Sequence, residues 1–154
     1  MSKIQVTNIN DLSDNASLIT QSGGIKSDKL TGVTTAGSIL VTGEGNSTTT
    51  NLQQGLAKAW VKFTQVGTHT AADSFNLTSL TDSGVGNSTV AIANDLANAN
   101  GPISVTSDNG SNFNNGAMGR MTAAGTASVR CSATTSAAGS DKAHTQAIFF
   151  GDLA

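Results

Sequence analysis

The chain has 154 residues and a formal net charge of −2, with only 12% charged and 4% aromatic residues and no tyrosine. Basic residues form no cluster, which argues against nucleic-acid binding, because neutralising phosphates requires concentrated Lys and Arg. Gly, Ser, Thr, Asn and Ala dominate, whereas the helix formers Glu, Leu and Arg are scarce. This composition predicts one domain, with or without an extended arm, built from short strands and tight turns.

The first third of the chain differs from the rest. In residues 1–50 the apolar side chains come mostly in ones and twos, and the segments between them are too short and too polar for a self-sufficient core; the arm is predicted over residues 1–55. We predict an extended N-terminal arm here, stabilised by packing on its own domain, on a sister chain or on another protein; disorder of the first fifty residues is the alternative. The beginning of the chain has no apolar signal-peptide core, and no membrane-spanning segment is expected.

A short helix and a strand are predicted where the arm ends. The helix lies in TNLQQGLAKAW, with Asn51 as its cap and with Gly55 as an interruption. The strand AWVKF follows. Its alternation divides the side chains between a core face, with Ala59, Val61 and Phe63, and an opposite face, with Trp60 and Lys62.

Five further strands are predicted: SFNLTSL (74–80), STVAIA (88–93), PISVTS (102–107), SVRCSA (128–133) and QAIFFGDL (146–153). Phe75 and Leu77 are expected on one face, and the extra residue before Leu80 indicates a bulge or register change. The turn signals TDSGVGNS, NANGP, SDNGSNFNNG and AAGSDK separate the strands. We therefore predict an all-β fold: a small antiparallel β-sandwich or barrel over residues 56–154, preceded by the extended arm.

Residues with catalytic or metal-binding potential are few. His69 and His144 are the two histidines, and neither has a metal-binding spacing around it, so we expect a solvated loop or strand-face position for each. A metal-binding or acid–base role of either histidine is the alternative, since the two could meet across chains in an oligomer. Cys131 alternates with Val129 and is predicted to face the core as a small apolar residue.

The acidic and glycine-rich segments are explained by turns. Asp82, Asp108 and Asp141 stand beside Gly, Ser or Asn, where an aspartate stabilises a turn. SDNGSNFNNG lacks the spacing and final Glu of a calcium loop, and TGEGNST and SGVGNST lack the lysine of a phosphate-binding loop. We predict no catalytic, cofactor-binding or metal-binding residues and no cofactor.

The segment AKAWVKFTQVGTHTAADSFNLTSLTDSGVGNSTVAI, together with the terminal FFGDLA, resembles a β-rich domain in structural proteins of tailed bacteriophages, especially marine ones. In that domain an Ala-Trp-Val-x-Phe strand precedes a Gly-Thr turn, an Asp-Ser-Phe-Asn strand and an Asp-x-Gly-x-Gly turn. The matching pieces are Ala59–Phe63, Gly67–Thr68, Asp73–Asn76 and Asp82–Gly86. The resemblance covers residues 57–154.

The resemblance implies a non-enzymatic protein on the virion exterior, made in the host cytoplasm and usually trimeric. The leading hypothesis is a homotrimeric capsid decoration or cement protein, or a short head fibre, whose arm binds the major capsid protein or another virion protein. The alternative is a tail-fibre or tail-spike tip that binds a host surface receptor. The shortness of the chain and its few aromatic side chains for sugar stacking favour decoration. No nucleic-acid partner and no membrane insertion are expected.

Overall fold

The computed structural model describes residues 30, 39–43, 45, 47–110, 115–133 and 138–154. The chain divides into two units between Thr31 and Gly32, and every element described below belongs to the second unit. Most of the predicted arm therefore lies outside the described residues. Its boundary near residue 55 stays a prediction.

A small hairpin and a short helix precede the main domain. Strand β1 (Leu40–Thr42) pairs antiparallel with β2 (Thr49–Asn51), and helix α1 (Leu52–Gly55) follows directly. The Asn51 Oδ1 atom accepts hydrogen bonds from two backbone N–H groups of the helix, at 2.8 and 3.3 Å. The predicted cap and the end of the helix at Gly55 are confirmed. Within the described part of the chain, no helix has the length and apolarity to cross a membrane.

The main domain consists of two four-stranded antiparallel sheets in a sandwich-like arrangement, which confirms the predicted fold class. From one edge to the other, the strands of sheet I are β4 (Thr70–Phe75), β3 (Ala59–Thr64), β10 (His144–Phe149) and β7 (Ile103–Asp108). Those of sheet II are, in the same way, β5 (Leu77–Asp82), β6 (Asn87–Ile92), β9 (Thr126–Ala133) and β8 (Asn115–Ala123).

The core lies between the two sheets and is built from alternating side chains of their strands. In β3 the predicted inward and outward faces are confirmed. Apart from two phenylalanines, the buried members of this core are aliphatic and mostly small. They are Ala59, Val61, Phe63, Val90, Ile92, Leu96, Ala127, Val129, Ala147 and Phe149.

A corner at Asn76 divides the predicted strand 74–80 into two strands of different sheets. Asn76 has a φ of 58°, a left-handed conformation that Asn tolerates better than most residues. It leads the chain from edge strand β4 of sheet I into edge strand β5 of sheet II. Phe75 is consequently 54% exposed whereas Leu77 packs on the core, so the prediction of a shared face is wrong. The register change predicted before Leu80 is confirmed at the start of β5.

Strand β8 has no counterpart among the predicted strands, because Gly116 and Gly119 interrupt its alternation. Gly119 lies where the two sheets approach each other. A Cβ atom at this position would lie 2.6 Å from Val105 Cγ2 and 3.1 Å from Ile103 Cγ2, both on β7. Glycine therefore allows edge strands β7 and β8 to pack closely, and it marks a close approach rather than a loop.

Candidate functional site

A line of four polar side chains leads from the interior of the sandwich to its surface. Gln65 Nε2 donates a hydrogen bond to Ser88 Oγ at 2.9 Å, and Ser88 Oγ lies 3.1 Å from His69 Nδ1. On the other side of the ring, His69 Nε2 lies 3.5 Å from Asp82 Oδ1. Because Ser88 accepts from Gln65, its hydroxyl proton is available for His69 Nδ1. Ser88 can therefore donate to Nδ1, while the Nε2 side of the ring faces Asp82.

Serine, histidine and aspartate in a row resemble a hydrolase triad, but their access to solvent is reversed. Ser88 is 0% exposed, whereas the side chain of Asp82 is 56% exposed. A nucleophile must reach its substrate, and the buried hydroxyl of Ser88 cannot do so. The geometry instead gives Ser88, His69 and the Gln65 amide nitrogen hydrogen-bonding contacts in the interior, while the buried Gln65 Oε1 has no partner among the described residues. His69 is thus enclosed rather than solvated, which differs from the sequence-based expectation.

The other histidine and the cysteine lie where the sequence predicted. His144 is exposed at the start of β10. Cys131 is completely buried, and its Sγ lies 3.7 Å from Thr145 Oγ1, so its predicted core position is confirmed. Among the described residues, no group of three or more His, Cys, Asp or Glu side chains is placed to hold a metal ion.

Two of the predicted turn aspartates act within their own turns. Asp82 Oδ1 accepts a hydrogen bond from the Gly84 backbone N–H at 2.8 Å, and Asp108 Oδ1 accepts one from Gly110 at 2.6 Å. These are the side-chain-to-backbone bonds that favour Asp in turns. The rest of the calcium-loop-like segment, residues 111–114, lies outside the described residues.

Asp141 has a different role, because it joins two distant segments. Its Oδ1 accepts a hydrogen bond at 2.6 Å from the backbone N–H of Gly86, 55 residues earlier in the chain. Gly86 O in turn accepts from the backbone N–H of Cys131 at 2.7 Å. The loop between β5 and β6 is thereby attached both to β9 and to the segment before β10. A pattern of local turn residues contains no information about such a contact.

The outer face of sheet I carries an apolar row that crosses three strands. Phe75 and Ile148 both pair with Trp60 in the cross-strand register. Phe75 is 54% and Ile148 39% exposed, while Trp60 is half-buried. In the next row, Lys62 stands opposite Asp73, so the adjoining surface is formally neutral. We call Trp60, Phe75 and Ile148 the apolar row. An apolar and formally neutral surface of this kind suits contact with an uncharged protein face or a sugar ring.

A second group of exposed apolar side chains belongs to the predicted arm. Leu30, Leu40 and Val41 are 65%, 57% and 50% exposed. All three strand residues of β1 are exposed, and α1 has no buried residue. The described residues of the predicted arm therefore include exposed apolar side chains.

No protein-family model, curated protein or solved structure matches this chain. The bacteriophage resemblance therefore stays a prediction based on residues 57–154.

Proposed function

We propose that this chain is a non-enzymatic structural protein on the exterior of a bacteriophage particle. It acts as a homotrimeric capsid decoration or cement protein, or as a short head fibre. Residues 1–55 anchor it to the major capsid protein or another virion protein, and residues 56–154 project as the β-sandwich. The apolar surface left outside the core carries this proposal, together with the sequence resemblance.

The exposed side chains of the arm support its role as an anchor. Burying a leucine or valine that is now exposed contributes about 1.5–3 kcal/mol. Leu30, Leu40 and Val41 are each at least half exposed, so another chain that covers them would gain a substantial part of its binding free energy there.

The apolar row supports self-association of the sandwich. Trp60, Phe75 and Ile148 lie side by side, and the neighbouring row pairs Lys62 with Asp73. A copy of the same chain, which itself carries little charge, is a suitable partner for an apolar and formally neutral face. Association would also bury apolar area in the interface, in addition to the area buried in a core of small side chains.

Light scattering of the purified chain is expected to give the mass of a trimer. Ile148→Lys places a charge in the apolar row and is expected to shift the protein toward monomer, because a buried, unpaired ammonium is unfavourable in an interface. Thr81→Lys is the matched control, since Thr81 is exposed on β5 of the other sheet. A stable wild-type monomer would contradict the trimer, and equal dissociation by both variants would contradict the assigned face.

Copy number per virion tests the proposed place of the protein. Quantitative mass spectrometry of purified particles is expected to give on the order of hundreds of copies, because decoration follows the many symmetric positions of a capsid. The particle's major capsid protein serves as the internal standard. A count of a few tens or fewer, or the absence of the chain from purified virions, would overturn the decoration proposal.

One observation favours the alternative, a tail-fibre or tail-spike tip that binds a host receptor. Phe75 is exposed next to Trp60 on the outer face of sheet I, so the chain has an aromatic surface that could stack against sugar rings. A count of a few tens per particle, combined with retention of the chain in isolated tails, would support this alternative.

A further inference from the structure

The two arginines of this chain lie together on the outer face of sheet II. The sequence has only Arg120 and Arg130, and all its other basic residues are lysines. In the pairing of β8 with β9, Arg120 stands opposite Ser128, and Arg130 stands opposite Met118. The arginines are therefore diagonal neighbours on one face, roughly 7–8 Å apart by sheet geometry and somewhat closer between their Cβ atoms. Both side chains are exposed.

The arginines line a groove of about 580 Å³ between this face and the loop that connects β5 to β6. Its polar side chains include Ser83, Asn87 and Ser128, and none of its lining residues is acidic. Asp82, the last residue of β5 before this loop, accepts a hydrogen bond from the Gly84 backbone N–H at 2.8 Å and lies beside His69. The whole chain has a net charge of −2, whereas this concave groove is lined by two positively charged side chains.

Internal hydrogen bonds orient the polar wall of the groove. Ser128 Oγ donates to Asn87 Oδ1 at 3.2 Å, which leaves the amino group as the side-chain donor of Asn87. Ser83 Oγ lies 2.7 Å from Thr89 Oγ1. These contacts hold hydroxyl and amide groups in place before a ligand arrives, and preorganisation of this kind reduces the entropic cost of binding.

The chemistry of the groove indicates one class of ligand. The planar guanidinium group of arginine forms paired hydrogen bonds with carboxylate or sulfate oxygens. Fixed hydroxyl and amide groups suit the hydroxyls of a sugar, and Val85 and Met118, 69% and 65% exposed, offer apolar contact to ring carbons. A nucleic-acid backbone would require a longer basic track than two residues. The groove volume lies within the range of small-molecule sites.

We propose that this groove binds an acidic saccharide, with the carboxylate or sulfate group held by Arg120 and Arg130. The sugar hydroxyls contact the wall formed by Ser83, Asn87 and Ser128. The proposal does not depend on whether the chain belongs to a virion, so a low copy number per particle leaves it intact, and loss of saccharide binding leaves the decoration role intact.

Titration of the full chain with three fluorescently labelled hexasaccharides tests this site: a galacturonic acid oligomer, a sulfated galactose oligomer and a neutral galactose oligomer. At least one acidic oligomer is expected to bind about tenfold or more tightly than the neutral one, with an affinity that falls as salt rises. The carboxylated and sulfated arms identify which anionic group the arginines prefer. Binding of none of the probes at millimolar concentration, or equal binding of all three, would overturn the proposal.

Substitutions locate the binding. Arg120→Gln and Arg130→Gln are each expected to weaken binding about tenfold or more, the effect of losing a charge-assisted hydrogen bond. Arg120→Lys retains the charge without the paired donors and should fall in between. Lys62→Gln, which removes a positive charge from sheet I, is the control and should bind like the wild type. If Lys62→Gln weakened binding as much as the arginine variants, the assigned location of binding would be wrong. If a single-stranded oligonucleotide bound more tightly than either acidic saccharide, the proposed class of ligand would be wrong.

Discussion

Gly86→Ala is expected to lower the free energy of unfolding by more than about 4 kcal/mol, a loss seen only when a specific structural feature is broken. Gly86 has a φ of 68°, in the left-handed region that a side chain disfavours. A Cβ atom here would also collide with the backbone N of Ser140 and the backbone O of Cys131. Backbone atoms cannot rotate away as a side chain can, so the loop contact of Asp141 would be lost as well.

Gly67→Ala is the matched control for this prediction. Gly67 has nearly the same conformation, with a φ of 71°, but a Cβ atom there meets nothing within 4 Å. Its substitution therefore measures the left-handed strain alone, about 1–2 kcal/mol. Urea unfolding at one protein concentration, followed by the fluorescence of the single tryptophan, compares the two variants. Similar losses for both would refute the close contact at Gly86.

Phe63→Ala is expected to cost about 3–5 kcal/mol, the range for removing a phenylalanine from a core. Phe63 is 1% exposed and is among the largest fully buried side chains. Its neighbours in the core are small aliphatic residues on rigid strands, so they cannot collapse into the space that its ring would leave. The same urea unfolding experiment measures the loss.

Phe75→Ala removes the same ring from a position that is 54% exposed. It is expected to cost less than about 1 kcal/mol at the lowest protein concentration that fluorescence permits, where self-association contributes least. At higher concentration the same variant should weaken the trimer, since Phe75 belongs to the apolar row. If Phe75→Ala proved as costly as Phe63→Ala at low concentration, Phe75 would belong to the core and the corner at Asn76 would be wrong.

Local patterns predicted the parts of the fold that depend on neighbouring residues. The alternation in β3, the core position of Cys131 and the Asn51 cap each follow from side-chain periodicity or from hydrogen bonds between residues close in sequence. Turn chemistry at Asp82 and Asp108 is equally local. These features required no knowledge of how the strands pack.

Other features were set by contacts between distant segments. The sequence did not predict β8, because glycine is typical of loops. In the structure Gly119 is a strand residue that allows the close approach of Val105 on β7. The pattern of SFNLTSL is typical of one continuous strand. The left-handed conformation of Asn76 is required only because β4 and β5 belong to different sheets. His69 was expected in solvent because the sequence could not place Ser88 next to its ring.

The same distinction applies to the surfaces that carry the proposals. The sequence by itself determined an all-β domain with sparse charge, a first third poor in apolar residues, an outward Trp60 and the absence of recognisable catalytic spacing, because these depend on composition and period. Only the tertiary structure decided that Phe75 joins Trp60 in an apolar row and that Arg120 lies beside Arg130. The physical reason is strand register: residues ten positions apart become neighbours only when β8 and β9 pair as a hairpin.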